Sequence, residues 1–211
     1  MSNPSPRRSG RPCDSRKYDA ILSAAIKAFF NHGFSGASIE AVAAEAGVSK
    51  VTVYKHFTDK HGLFSAAVTA ECEKISNTLL DDEDGGPLAE RLVRFGVTLI
   101  EFLSRPELIQ FERRLAAEVE HMPELGERFL EAGPRRSYRL LVNLLEKARD
   151  RGEVDIEDPT LAANMLGGMF KGMGDLERRF TTQRSQVPPE AYIRASVDLF
   201  MRSCKSGKSP A

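Results

Sequence analysis

Residues Ser38 to Phe57 read SIEAVAAEAGVSKVTVYKHF, and this stretch decides the fold. Ile39, Val42, Ala43 and Ala46 recur at i, i+3, i+4 and i+7, the spacing of one apolar helical stripe. Ser38 stands just ahead of the stripe, where a hydroxyl accepts from the orphan N–H groups of a first turn. Gly47 follows it, where a left-handed residue closes a helix without a Cβ penalty. Val48 is then free to turn inward, and Ser49 is placed to cap a second helix, Lys50 to Phe57. Two helices joined by a short turn containing glycine have the form of a helix-turn-helix, whose second helix enters the major groove of DNA. DNA reading is the first function to test against the rest of the chain.

The totals allow it. The chain has 211 residues, 41% hydrophobic and 28% charged, an ordinary globular composition with ample length for a buried core. No apolar run approaches the roughly 20 residues of a membrane span. The N-terminal MSNPSPRRSGRP has no apolar segment behind its arginines, so it does not read as a secretory signal. Cys13, Cys72 and Cys204 are far apart and fit no metal-ligand spacing, and the expected compartment is a reducing cytoplasm. The zero net charge hides an asymmetry. Residues 1–64 hold nine Lys/Arg against five Asp/Glu, whereas the remainder holds 21 against 25. Positive charge thus gathers on the segment with the helix-turn-helix pattern, as a phosphate-facing module requires.

Residues 1–14, rich in Pro, Ser, Gly and Arg, read as a flexible basic arm. Arg7, Arg8 and Arg11 either follow a DNA groove or belong to a solvated tail. A helix is expected over about Ser15–Asn31, with Ile21, Leu22, Ala25, Ile26 and Phe29 inward and Gly33 as its stop. Thr58 or Asp59 caps a fourth helix through Leu63, Phe64, Ala67, Val68 and Ile75. Lys60, in its first turn, opposes the helix macrodipole, which suggests an external anion such as a DNA phosphate nearby. Beyond the acidic DDEDGG of residues 81–86, helices are expected at Pro87–Ser104 and Pro106–His121. A long helix from Pro123 is broken or kinked near Gly133-Pro134 and closed by Gly152. Further helices cover about Pro159–Phe180 and Glu190–Cys204, before a disordered tail at 205–211. No strand-like alternation occurs, so the fold class is all-α, with about nine helices.

The segment AILSAAIKAFFNHGFSGASIEAVAAEAGVSKVTVYKHFTDKHGLF resembles the N-terminal domain of the tetracycline-repressor (TetR) family of bacterial regulators, over about Ser15 to Ile75. Val51 departs from it, standing where the family often has Gly. Residues Gln110 to about Gly172 resemble the AefR-like regulatory domain of some TetR-family proteins, through Pro-Glu-Leu, Glu-Ala-Gly-Pro and Asp-Pro-x-Leu-Ala-Ala. The resemblance implies a DNA-binding domain at 15–75, with the helix-turn-helix at 38–57, and a ligand-binding and dimerisation domain at 76–204. It also implies that the last two long helices build a four-helix seam with a second copy, for which Phe170, Met173, Leu199 and Phe200 are the candidates.

Lys50, Val51, Thr52 and Lys55 are the candidates for base edges: lysine donates to guanine, and the Val51 side chain or Thr52 methyl touches a thymine methyl. Tyr54, His56 and Lys60 are the candidates for phosphates, with packing in the small core as the other reading of Tyr54 and His56. The cap residues Ser38 and Ser49 complete the expected DNA set. A ligand cavity would be lined by Phe102, Phe111, Leu115, Phe129, Tyr138, Met165 and Met169, with Arg114, Glu118 and His121 as polar anchors. The methionines equally suit an ordinary core or seam. Glu118-x-x-His121 is half of a di-iron motif without its second half, so no metal is expected. No P-loop, dinucleotide turn, G-x-S-x-G or His-Glu-x-x-His is present, so no catalytic residue and no cofactor is expected.

The expected protein is therefore a homodimeric regulator that binds palindromic double-stranded DNA and is released by a small-molecule effector. Two rivals stand beside it. One is a constitutive DNA-binding protein whose second domain only dimerises. The other is a small-molecule-binding protein or enzyme with a vestigial DNA head.

Overall fold

A computed structural model describes residues 12–80, 86–181 and 190–204, and every regular element among them is an α-helix. Two compact units divide the chain, one up to Ala67 and one from Val68 onward. The first unit contains α1 (Pro12–Gly36), α2 (Ile39–Glu45), α3 (Lys50–His56) and the start of α4 (Lys60–Leu80). The second contains the rest of α4, then α5 (Leu88–Leu103), α6 (Pro106–Val119), α7 (Pro123–Ala132) and α8 (Pro134–Asp150). It closes with α9 (Pro159–Lys171), α10 (Gly174–Phe180) and α11 (Glu190–Ser203). The basic arm with Arg7, Arg8 and Arg11 and the tail at 205–211 lie outside the described residues.

Periodicity explains α1: Ile21, Ala25 and Phe29 recur every four residues and are buried. The helix outruns its expected limits at both ends. It starts at Pro12 and adds a turn to Gly36 beyond a break at Gly33, whose φ of 74° glycine adopts without strain. That break returns Phe34 to the core, where it meets Phe29 at 5.9 Å and Phe64 at 5.4 Å between ring centroids. Leu63, Phe64 and Ala67 of α4 complete this core. The next turn of α4 belongs elsewhere. A Cβ added at Gly133 would lie 2.7 Å from Cys72 Sγ and 2.9 Å from Val68 Cγ1, so α4 and the α7–α8 corner meet closely there. The unit boundary consequently falls inside α4 rather than after Ile75.

In the second unit, proline opens α6, α7, α8 and α9, where its missing N–H costs nothing. Asp158 Oδ1 also accepts from Thr160 N at 2.8 Å and Leu161 N at 3.0 Å. Leu92, Ile100, Leu145, Leu166, Phe170, Ile193 and Val197 form one core shared by α5, α8, α9 and α11. Gly96 sets the approach of those helices: a Cβ there would lie 2.7 Å from Ile193 Cγ2 and 3.0 Å from the Phe170 ring.

Among the described residues the helices exceed the expected nine because two expected helices are divided. Gly133-Pro134 ends α7 outright. Gly172 adopts φ 49°, and Tyr192 Oη occupies the space its Cβ would need while donating to Met169 O at 3.0 Å. The expected helix over Pro159–Phe180 is thereby split into α9 and α10. Among the described residues, no helix is long and apolar enough to cross a membrane.

Candidate nucleic-acid interface

The reading head is assembled by three local devices. Ser38 Oγ accepts from Ala41 N at 3.1 Å and starts α2. The end of α2 is closed by a glycine motif: Gly47 adopts φ 65°, Gly47 N donates to Ala44 O at 3.1 Å, and Val48 N donates to Ala43 O at 2.9 Å. Ser49 Oγ then accepts from Thr52 N at 3.1 Å and shares a hydrogen bond of 2.9 Å with Thr52 Oγ1. Ser38 and Ser49, expected at the DNA surface, thus spend their hydroxyls as caps, and the Thr52 hydroxyl is engaged as well.

Helix α3 divides into two faces. Val53 is fully buried, and the following Phe57 is 6% exposed, anchoring the inner side. Val51 is 78% exposed and Tyr54 44%, with Lys50 and Lys55 on the same open surface. A large apolar side chain projecting this far from a short helix has no packing role inside this unit. Lys50 is not idle: its Nζ contacts Glu40 Oε1 of α2 at 2.5 Å and lies 5.8 Å from the centre of the Tyr54 ring. The two charges shift each other, the hydrogen bond holding the Glu40 carboxyl below its usual range and Lys50 above its own.

His56 and Lys60 differ from their expected settings. The His56 ring lies half-buried, edge-on to Tyr18 at 6.0 Å and tilted against Phe57 at 6.4 Å, which is the packing reading rather than the phosphate one. Lys60 Nζ sits 4.7 Å over the Phe34 ring and donates to Ser35 O at 3.4 Å. A cation in this first turn therefore needs no external anion to explain it. Asp59, not Thr58, caps α4, its Oδ1 accepting from Gly62 N at 2.7 Å.

The expected cavity residues of the second unit fall into separate groups. Phe111 and Leu115 are buried on α6, and the Phe129 ring of α7 stands 5.9 Å from that of Phe111. Phe102 and Tyr138 instead border the core of α5, α8, α9 and α11, with Tyr138 Oη donating to Thr160 O at 3.1 Å. Met169 is half-buried, but Met165 is 60% exposed and turns away from any interior. Arg114 and His121 lie on exposed faces and Glu118 is half-buried. Among the described residues, no three His, Cys, Asp or Glu side chains converge as a metal site would need.

The seam candidates divide likewise. Phe170 and Phe200 point into the core of the second unit, at 0% and 5% exposure, because Gly96 lets α5 close over α9 and α11. Met173 and Leu199 remain open, joined by Leu161, Met165, Leu176, Phe180 and Tyr192.

Several charged groups were not singled out in the sequence. Glu71, 3% exposed, receives Arg105 Nη1 at 2.8 Å, and buried Arg91 donates to Glu153 at 3.2 Å. Between α6 and α10, burial pushes the Glu112 carboxyl above its usual range, with Arg179 the strongest opposing influence. Arg178, its side chain 2% exposed, bonds Asp175 at 2.9 Å through Nη2, while its buried Nη1 has no hydrogen-bond partner among the described residues. The available signal was a charge recurring on an otherwise inward face, as at Arg91 between Leu88 and Phe95.

Similarity to known proteins covers nearly the whole chain. Residues 21–67 match the bacterial regulatory proteins of the tetR family, and residues 90–203 match the AefR-like transcriptional repressor C-terminal domain. A TetR-family transcriptional regulator from Mesorhizobium loti is 32% identical, with 92% of this chain and 98% of that one aligned and a TM-score of 0.74. The flavonoid-responsive regulator FrrA is 30% identical over 92% of this chain and 99% of its own, with a TM-score of 0.69. The HTH-type transcriptional regulator YvkB of Bacillus subtilis is 23% identical over 91% of this chain and 97% of its own.

Proposed function

Because this chain belongs to the TetR family of bacterial transcriptional regulators and carries an AefR-like C-terminal domain, we propose that it is a homodimeric repressor that binds a palindromic operator and is released by a small molecule. The observation that carries the reading is the outward face of α3, where Val51, Tyr54, Lys50 and Lys55 project while Val53 and the succeeding Phe57 hold the helix down. Two such helices in a dimer read half-sites about 34–36 Å apart on one side of the duplex. The open apolar residues of α9 and α11, Leu161, Met165, Tyr192 and Leu199, support a seam with a second copy.

For the effector, the supporting group is Arg178. A buried guanidinium nitrogen without a partner among the described residues is costly, and an acceptor on a bound molecule would satisfy it. Glu112, facing the same α6–α10 cluster, supplies the complementary carboxyl. The flavonoid response for which FrrA is named supports an apolar molecule bearing hydroxyl and carbonyl groups, which can accept from Arg178 and donate to Glu112. A tenfold release requires only about 1.4 kcal/mol of coupling between effector and operator.

Selection of palindromic duplexes from a randomised library by the purified protein tests the reading. Tyr54→Ala should weaken binding to every sequence while leaving its salt dependence nearly unchanged, since the phenol carries no charge. Lys50→Ala or Thr52→Ala should relax preference at one position by roughly 1–3 kcal/mol. A flavonoid panel added to the selected duplex should release the wild type and leave Arg178→Met bound. Operator binding that nothing releases would support a constitutive DNA-binding protein. A cellular effect that survives Tyr54→Ala would support a sensing protein with a vestigial head.

A further inference from the structure

The carboxylate of Glu40 lies where a phosphate-facing surface would least be expected to carry one. It stands in the first turn of α2 and takes Lys50 Nζ from the first turn of α3 at 2.5 Å, with both side chains more than half exposed. The N-terminal turn of a recognition helix is the part that meets base edges. Lys50 must leave Glu40 to reach DNA, and DNA offering only phosphates would leave the carboxylate facing like charge.

We propose that Glu40 is a specificity residue of the reading head, holding Lys50 in the free protein and accepting a hydrogen bond from a cytosine amino group in the operator. The inference rests on the operator-binding reading above. Base chemistry selects cytosine. Its major-groove edge presents the N4 amino donor, and the paired guanine presents the O6 and N7 acceptors that Lys50 can use. Adenine also carries an amino donor, but its N7 acceptor stands beside it and repels a carboxylate. At a C·G pair both members of the Glu40–Lys50 pair exchange one partner for another of matching sign. Elsewhere the broken pair goes uncompensated, so Glu40 discriminates by penalising wrong sequences as well as rewarding the right one.

The test is duplex selection followed by binding measurements with full-length wild type, Glu40→Ala, Glu40→Gln and Lys50→Ala, each checked for helicity by circular dichroism. The wild type should enrich a C·G pair at one position in each half-site. Glu40→Ala should lose that preference, by roughly 5- to 150-fold at that position, while binding random-sequence duplex more tightly than wild type. Glu40→Gln keeps one acceptor oxygen and should fall between. An unchanged base preference in Glu40→Ala would overturn the proposal even if random-sequence binding tightened, since Glu40 would then serve only α2's macrodipole and a surface ion pair. A wild type that enriches no palindrome would instead fail the operator reading itself.

Discussion

Burial raises the Cys72 thiol to about 11, with the adjacent Glu71 carboxylate pushing the same way and Arg136 opposing. Because the thiolate is the nucleophile, native protein lacking Cys13 and Cys204 should react slowly with Ellman's reagent at pH 8, and urea-unfolded protein rapidly. Fast labelling of the native form would contradict this burial. The sign for stability follows. The folded value lies above the ordinary 9.0, so between pH 9 and about 11 the unfolded chain gives up its proton first. The stabilisation from this thiol is complete below pH 9 and is lost as pH rises through the folded value. Urea midpoints should therefore fall over that window, and fall less in Cys72→Ala. Nothing in the spacing of the three cysteines revealed this. Val51 is the opposite case: its exposure followed from its place opposite Val53 on a helix whose caps were readable.

Single helices were legible where their chemistry is local. The Ser38 and Ser49 caps, the Gly47 closure and the prolines opening α6 to α9 each depend on atoms within a few residues, and all lie where the sequence put them. Gly47 adopts φ 65° with open space around it, so Gly47→Ala should cost about 1–2 kcal/mol in urea unfolding through backbone strain alone. Gly96 was not legible, because its constraint comes from α9 and α11, far along the chain. Gly96→Ala should cost about 1–3 kcal/mol through overpacking against Ile193 and Phe170. Ile193→Ala, which removes the clashing Cγ2, should cost less in the Gly96→Ala background than it does alone, and a purely additive double variant would place the constraint elsewhere. The break at Gly172 is illegible in the sequence for a similar reason: Tyr192, which occupies the space beside it, comes from α11.

For the molecule as a whole, the exposed apolar residues Leu161 and Leu199 predict the oligomeric state. Glu at either position should weaken the proposed dimer at least tenfold in sedimentation equilibrium and lower affinity for the proposed operator with it, while leaving each chain helical. Phe170→Ala or Phe200→Ala should instead unfold the subunit more easily, by about 3–5 kcal/mol, since both rings are core. A dimer unaffected by Leu161→Glu and Leu199→Glu would move the seam elsewhere. By itself, the sequence determined the all-helical class, the helix-turn-helix and which face of α3 is open, because caps, glycine turns and helical period act over a few residues. Only the tertiary structure decided that Phe170 and Phe200 turn inward, that Glu71 meets Arg105 across 34 residues and Arg113 meets the Arg178 carbonyl across 65. It also decided that Lys50 is held by Glu40. Periodicity names an apolar face but not what covers it, and a charge's partner is set by packing between segments whose separation in sequence carries no signal.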